Sequence, residues 1–281
     1  MGSFTKRCYT YPMIRRGLGE QFLLFAQHDH AQLSGQLAAH YGNRNFTKAD
    51  PLDATLSAVA LHDCGWPLHD QQPTLNKDGL PLDVFETPLD VAINVWQAGV
   101  QRVVDEDHYT QLLVSLHVLG LSGFAAARQH DRREQFELNK FQHRQIEKQV
   151  ELRRQLSLAT DVPLKLGLAV RSDIEPEEKL RRNHNIVQIM DRISLGLCCT
   201  DLVFEKIESI VPRPGATALT LNFTRSDDFA LRVQPWPFDQ EQIELQIDCR
   251  AVPAAKYDSV EEFRTAYADA TPMRVKMTVH A

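Results

Sequence analysis

Four side chains of metal-ligating type stand in apolar surroundings: His30, His62, Asp63 and Asp191. His62-Asp63 follows the apolar segment Ala54 to Leu61. An ionisable pair at the end of such a helix must be paired, hydrogen-bonded or metal-bound to be worth burying. The bland alternative is a helix end with Asp63 in water and His62 stacked on Trp66. At 100° per residue, Leu23, Ala26, His30, Leu33 and Leu37 fall on one helical stripe, with Gln27 and Ser34 beside it. His30 therefore points toward the core, as a ligand or as a histidine bonded to a backbone carbonyl. Asp191 sits in the apolar stretch Asn185 to Leu195 and shares a face with Val187, Ser194 and Cys198; His184 lies two turns before it. A carboxylate there is costly without a cation. Its neighbour Arg192 points elsewhere, so either an arginine from another element or a metal ion must meet it. His117, alone in the apolar run Leu112 to Leu119, reads as a fifth ligand or as a satisfied core histidine. Two imidazoles and two carboxylates suit a divalent transition metal, Mn²⁺, Fe²⁺, Zn²⁺ or Ni²⁺, as one or two ions.

The elements that position these groups follow from periodicity and from stop signals. A helix is predicted from Glu20 to about Tyr41, ended by Gly42. Tyr9 to Ile14 suits a strand. Asp50-Pro51 reads as a helix start with Asp50 as cap, and Gly65 as the end of that helix. Residues 66–88 hold four prolines and Gly79 and read as a long loop beside the site. Two helices are expected across 89–120, a charged one from about Ala125 to Leu156, and one from Glu177 to about Cys199. Strands fit 217–223 and 229–234 as a hairpin, then 241–249 and 273–280, with a short helix from Ser259 to Tyr267. The expected fold is mainly α: a helical metal-binding body over 1–210 and a small β-rich section over 211–281.

The order His30, His62-Asp63, then a distant Asp191 resembles the HD superfamily of metal-dependent phosphohydrolases. Gln27-His28-Asp29-His30-Ala31, Leu33-Ser34-Gly35, His62-Asp63 with Gly65-Trp66, Ser115-Leu116-His117 and Pro235-Trp236-Pro237-Phe238 resemble an uncharacterised bacterial HD-domain-like family over almost the whole chain. The resemblance implies an HD-type helical bundle with His30, His62, Asp63 and Asp191 as ligands and His117 as a further one. The chain departs from many HD nucleotidases in lacking a Glu just after the HD pair: Cys64, Gly65, Trp66, Pro67 and Leu68 stand there. Acid–base work then falls to Asp63, His69 and Asp70, the last two also readable as plain loop polarity. Trp66, Gln27, Ser34 and His184 are the candidates for substrate contact; a Trp after a helix end is also ordinary core. Diiron HD oxygenases, among them myo-inositol oxygenase, are similar in having two extra histidines before the last Asp. His143, 26 residues after His117, fits that spacing, though its charged segment suits an exposed residue.

The remaining numbers bound the partners. The formal charge is −6 over 281 residues, with no concentrated basic patch, so nucleic acid is not the expected partner. Five scattered cysteines without a CxxC suit a reduced cytoplasmic protein, and no membrane span is read. The expected activity is metal-assisted hydrolysis of a small, phosphorylated substrate. A diiron oxygenase and a catalytically inactive ligand-binding module are the alternatives, and self-association into a homo-oligomer stays open.

Overall fold

The computed structural model describes residues 13–66, 72–158 and 175–281. Strands β1 (Ile14–Leu18) and β2 (Gln21–Phe25) form a hairpin around Gly19, whose φ of 58° a side chain would resist. Helices α1 (Gln27–Ala38), α2 (Leu52–Leu61), α3 (Leu89–Arg102), α4 (His108–Arg128), α5 (Arg132–Gln155) and α6 (Glu175–Cys198) follow. Strands β3 (Lys206–Ile210), β4 (Leu219–Asp227), β5 (Ala230–Gln234), β6 (Gln242–Pro253) and β7 (Pro272–His280) complete the chain, with α7 (Val260–Asp269) between the last two.

The expectation of a mainly α, HD-like bundle with a small β section is corrected here. Among the described residues helix makes up 47% and strand 23%, and seven strands form one curled, half-barrel sheet. Its order is β1-β2-β6-β7-β5-β4-β3, antiparallel throughout except for β5 against β7. The sheet is large because the amino-terminal hairpin joins the carboxy-terminal strands: β2 pairs with β6, Gln21 opposite Pro253 and Leu24 opposite Arg250. Residues 21–25 therefore belong to a strand, and the predicted helix begins only at Gln27. Along β2, Leu23 and Phe25 enter the main core with Leu245 and Ile247. Leu24 points the other way, onto Val252, Tyr257 and Phe263 under α7.

Helices α1 and α6 pack between the sheet and the other helices. The carboxyl end of α6 is held by two arginines. Arg16 Nη1 donates to the carbonyls of Leu197 and Cys199 at 2.8 and 2.9 Å, and Arg225 Nη2 to those of Gly196 and Cys199 at 2.7 and 3.0 Å. Cations there satisfy orphan carbonyls and oppose the helix dipole. The outward amides of β1 are also occupied: Met13 donates to the Leu82 carbonyl, Arg15 to Asp83 and Gly17 to the Thr200 hydroxyl. At the opposite edge, β3 carries a register shift and Ser209 at φ 63°.

Two further helix boundaries differ from expectation. Asp50 does not cap α2; the helix begins after Pro51, and the Asp50 carboxylate pairs with Lys179 at 2.7 Å. The long charged helix starts at Arg132 because Asp131 caps it, accepting from the amides of Arg133 and Glu134. Among the described residues α4 has the length and composition of a membrane span, and 56% of its apolar window is buried within the protein. Serines on its inner side meet α5: Ser115 donates to Gln145 at 3.0 Å, and Gln149 donates to Ser115 at 3.0 Å.

Candidate metal centre

Four helices bring the ionisable groups together. His30 comes from the first turn of α1, His62 and Asp63 from the end of α2, His117 from the middle of α4, and Asp191 from α6. The Nε2 atoms of His30 and His62 lie 3.2 Å apart. Asp191 Oδ1 is 3.2 Å from the first and 3.5 Å from the second. Asp63 Oδ2 lies 3.6 and 3.7 Å from the same two nitrogens. The His117 ring stands edge-on to His62, centroids 4.8 Å apart. Two triads have ligand atoms within 4.8 Å of one another: His30, His62 and Asp191, and His62, Asp63 and His117.

The outer edge of each imidazole is fixed. His62 Nδ1 lies 2.7 Å from the Val59 carbonyl, which can only accept, so this nitrogen carries hydrogen and Nε2 faces the cluster. His30 Nδ1 lies 2.7 Å from Ser194 Oγ, itself 2.7 Å from Ser34 Oγ and donating to the Asp191 carbonyl at 2.9 Å. Such contacts are what orients imidazoles toward a metal. Three ligating atoms thus converge at 3.2 to 3.5 Å with the Asp63 oxygen just beyond, an arrangement that needs a proton or a cation at its centre.

The electrostatics agree. Burial by itself lowers the His62 pKa, but Asp63 and the hydrogen bond to Asp191 outweigh it and raise it to about 9. Burial pushes the Asp191 carboxyl up, yet hydrogen bonds from His30 and His62 hold it well below the usual carboxylate range. Asp63 is raised by burial, with His62 and His30 opposing. Burial, then the charge of His62, lowers His117 to about 3, and burial lowers His184 to about 4. His30 and His62 side chains are fully enclosed, whereas Asp63 and Asp191 expose 12% and 11%. The carboxylates are therefore the way in for a ligand.

The other candidates lie around this cluster. Trp66 is buried against Val84, Val91 and Val95, and its indole donates to Asp63. Ser34 is enclosed and bonded to Ser194 and to the carbonyls of His30 and Met190. Gln27 is buried in the first turn of α1. His184 is half-buried on the stripe of α6 that leads to Asp191, and its Nε2 has no hydrogen-bond partner among the described residues. His69 and Asp70 lie outside the described residues. His143 is exposed on α5. Reading the sequence did not single out Ser194 as the partner of His30. Its position three residues after Asp191, one turn along the same face, is the signal that could have found it.

A family model described as a protein of unknown function, DUF3891, matches residues 13–254. No curated protein and no solved structure matches the chain.

Proposed function

The chain belongs to the DUF3891 family, and from that premise we propose that it holds one divalent transition-metal ion on His30, His62, Asp63 and Asp191 and hydrolyses a small phosphoester there. The observation that carries the reading is that Asp191 and Asp63 each place a carboxylate oxygen 3.2 to 3.7 Å from both imidazole Nε2 atoms, with both imidazoles fixed from behind. The donor set, two imidazoles and two carboxylates, fits Mn²⁺, Fe²⁺, Zn²⁺ or Ni²⁺. The raised pKa of His62 reports that this pocket favours positive charge.

When bound, such an ion supplies Lewis acidity toward a phosphoryl oxygen and a water molecule of lowered pKa. The chain does the rest. Asp63 and Asp191, with 12% and 11% of their side chains exposed, are the ligands that a substrate would meet first. His117, held neutral by burial, keeps a lone pair beside Asp63 as a further donor to the ion. Arg181, half-buried on α6, is the cation that this reading assigns to a phosphate. The donor order resembles that of the HD superfamily, and this resemblance, resting on the residues alone, supports the hydrolytic reading.

A single ion is favoured over a diiron oxygenase centre. Both triads use His62 Nε2, and its other nitrogen is engaged with Val59. One lone pair serves one ion. The exposed His143 supplies no second imidazole. Among the described residues, four free, buried cysteines support a reducing, cytoplasmic setting.

The test is elemental analysis of protein purified without chelators, beside His62→Ala and Asp191→Ala, and a phosphoester screen with added Mn²⁺, Fe²⁺ or Ni²⁺. About one ion per wild-type chain, its loss in both variants, and turnover lost with it are expected. Equal metal in all three proteins would refute the centre. Metal without phosphoester turnover would refute the hydrolase.

A further inference from the structure

Helix α3 supplies no ligand, yet it meets the turn that carries Asp63 at backbone distance. A Cβ on Gly65 would lie 2.1 Å from the Val95 carbonyl oxygen and 2.8 Å from the Gly99 nitrogen, both backbone atoms of α3. Only glycine allows that approach. The contact is tied on both sides: Arg102 Nη1 donates to the Cys64 carbonyl at 3.0 Å, and Cys64 Sγ lies 3.4 Å from the Gly99 carbonyl. Trp66 then lays its ring on Val91 and Val95 of α3 and turns its indole N–H to the Asp63 carboxylate.

We propose that Gly65 and Trp66 are positioning residues of the metal centre: through them α3 acts as the platform that fixes where the Asp63 carboxylate stands. This rests on the metal-site reading above. His62 is held separately, by Val59 within its own helix, so the platform governs Asp63 alone. The platform has a built-in asymmetry. A Cβ on Gly99, the facing residue, would meet nothing nearer than 3.4 Å, an ordinary contact. Adding a methyl on one side of the interface must push the Asp63 turn away by about 1 Å to reach normal van der Waals separation. Adding it on the other side leaves the turn in place.

The experiment titrates Mn²⁺ into the full chain by calorimetry, for the wild type, Gly65→Ala, Gly99→Ala and Trp66→Phe, with circular dichroism and melting of each ion-free protein alongside. Outer-sphere partners of this kind change metal affinity by about 10- to 100-fold. Gly65→Ala is expected in that range and Trp66→Phe near its lower end, the latter with the ion-free protein still folded and its melting point lowered only by the volume lost from a buried site. Gly99→Ala should bind as the wild type does. Should Gly65→Ala not fold, Trp66→Phe decides. Wild-type affinity in both Gly65→Ala and Trp66→Phe would overturn the platform while leaving the metal centre standing. A folded wild type that binds no Mn²⁺, Fe²⁺, Zn²⁺ or Ni²⁺ would overturn both.

Discussion

Metal uptake should expel a proton from His62, and the size of that competition can be worked out. The folded pKa is about 9 against 6.5 for an unperturbed imidazole. A group raised in this way stabilises the ion-free fold fully below pH 6.5, and the contribution fades as pH rises through about 9. The gap corresponds to about 3 kcal/mol. An ion that takes His62 Nε2 must displace the proton. Its apparent affinity therefore falls about tenfold for each pH unit below 9, or about 100-fold at pH 7. Titration of Mn²⁺ at pH 7, in buffers of different ionisation enthalpy, should show about one proton released per ion bound. The logarithm of the affinity should rise with pH with a slope of about one and level off near pH 9. Affinity independent of pH over this range, with no proton released, would mean that His62 is not a ligand, and the reasoning from convergence would fail.

Ser194→Ala removes the hydroxyl behind His30 and should weaken Mn²⁺ binding about tenfold, with about 1 kcal/mol lost from the fold by chemical denaturation. His117 and His184 are neutral in the fold, with pKa values lowered to about 3 and about 4. Their contribution is present above pH 6.5 and lost as pH falls, so each should cost the fold about 2 kcal/mol at pH 5; urea midpoints of the double Gln variant should fall less than those of the wild type. Arg16→Met strands the Leu197 carbonyl in the interior and leaves that of Cys199 to Arg225 alone. A loss of about 2 to 3 kcal/mol is expected by urea unfolding, and an unchanged midpoint would show that Arg225 alone holds the end of α6.

The site was legible because its residues break the chemistry of their surroundings. A lone His or Asp on an apolar helical face stands out: periodicity turns His30 and Asp191 inward, and the apolar run around it marks His117. The fold was less legible at the amino terminus. Phe22 to Phe25 is a short apolar run, and such runs suit a strand or a buried helix turn equally. The stripe drawn through Leu23 and Ala26 happened to continue in phase with α1, so a strand was absorbed into a helix. What decides the matter is the pairing of β2 with β6, more than 200 residues away, which no local pattern records. The sheet followed from that one pairing. The contact of Gly65 with α3 is of the same kind: the glycine was read as a helix stop, and its facing backbone is invisible in a linear text.

The occupied amides of β1 have a consequence for how copies of this molecule meet. A curled sheet left open on one side offers its first strand as a template on which another chain can stack. Here the successive outward donors of Met13, Arg15 and Gly17 already have takers in a carbonyl, a carboxylate and a hydroxyl. The far border is bent out of register at Ser209. Fibrillar stacking through either rim would first have to break these bonds or straighten that kink, so the half-barrel stays half a barrel even where molecules are crowded together.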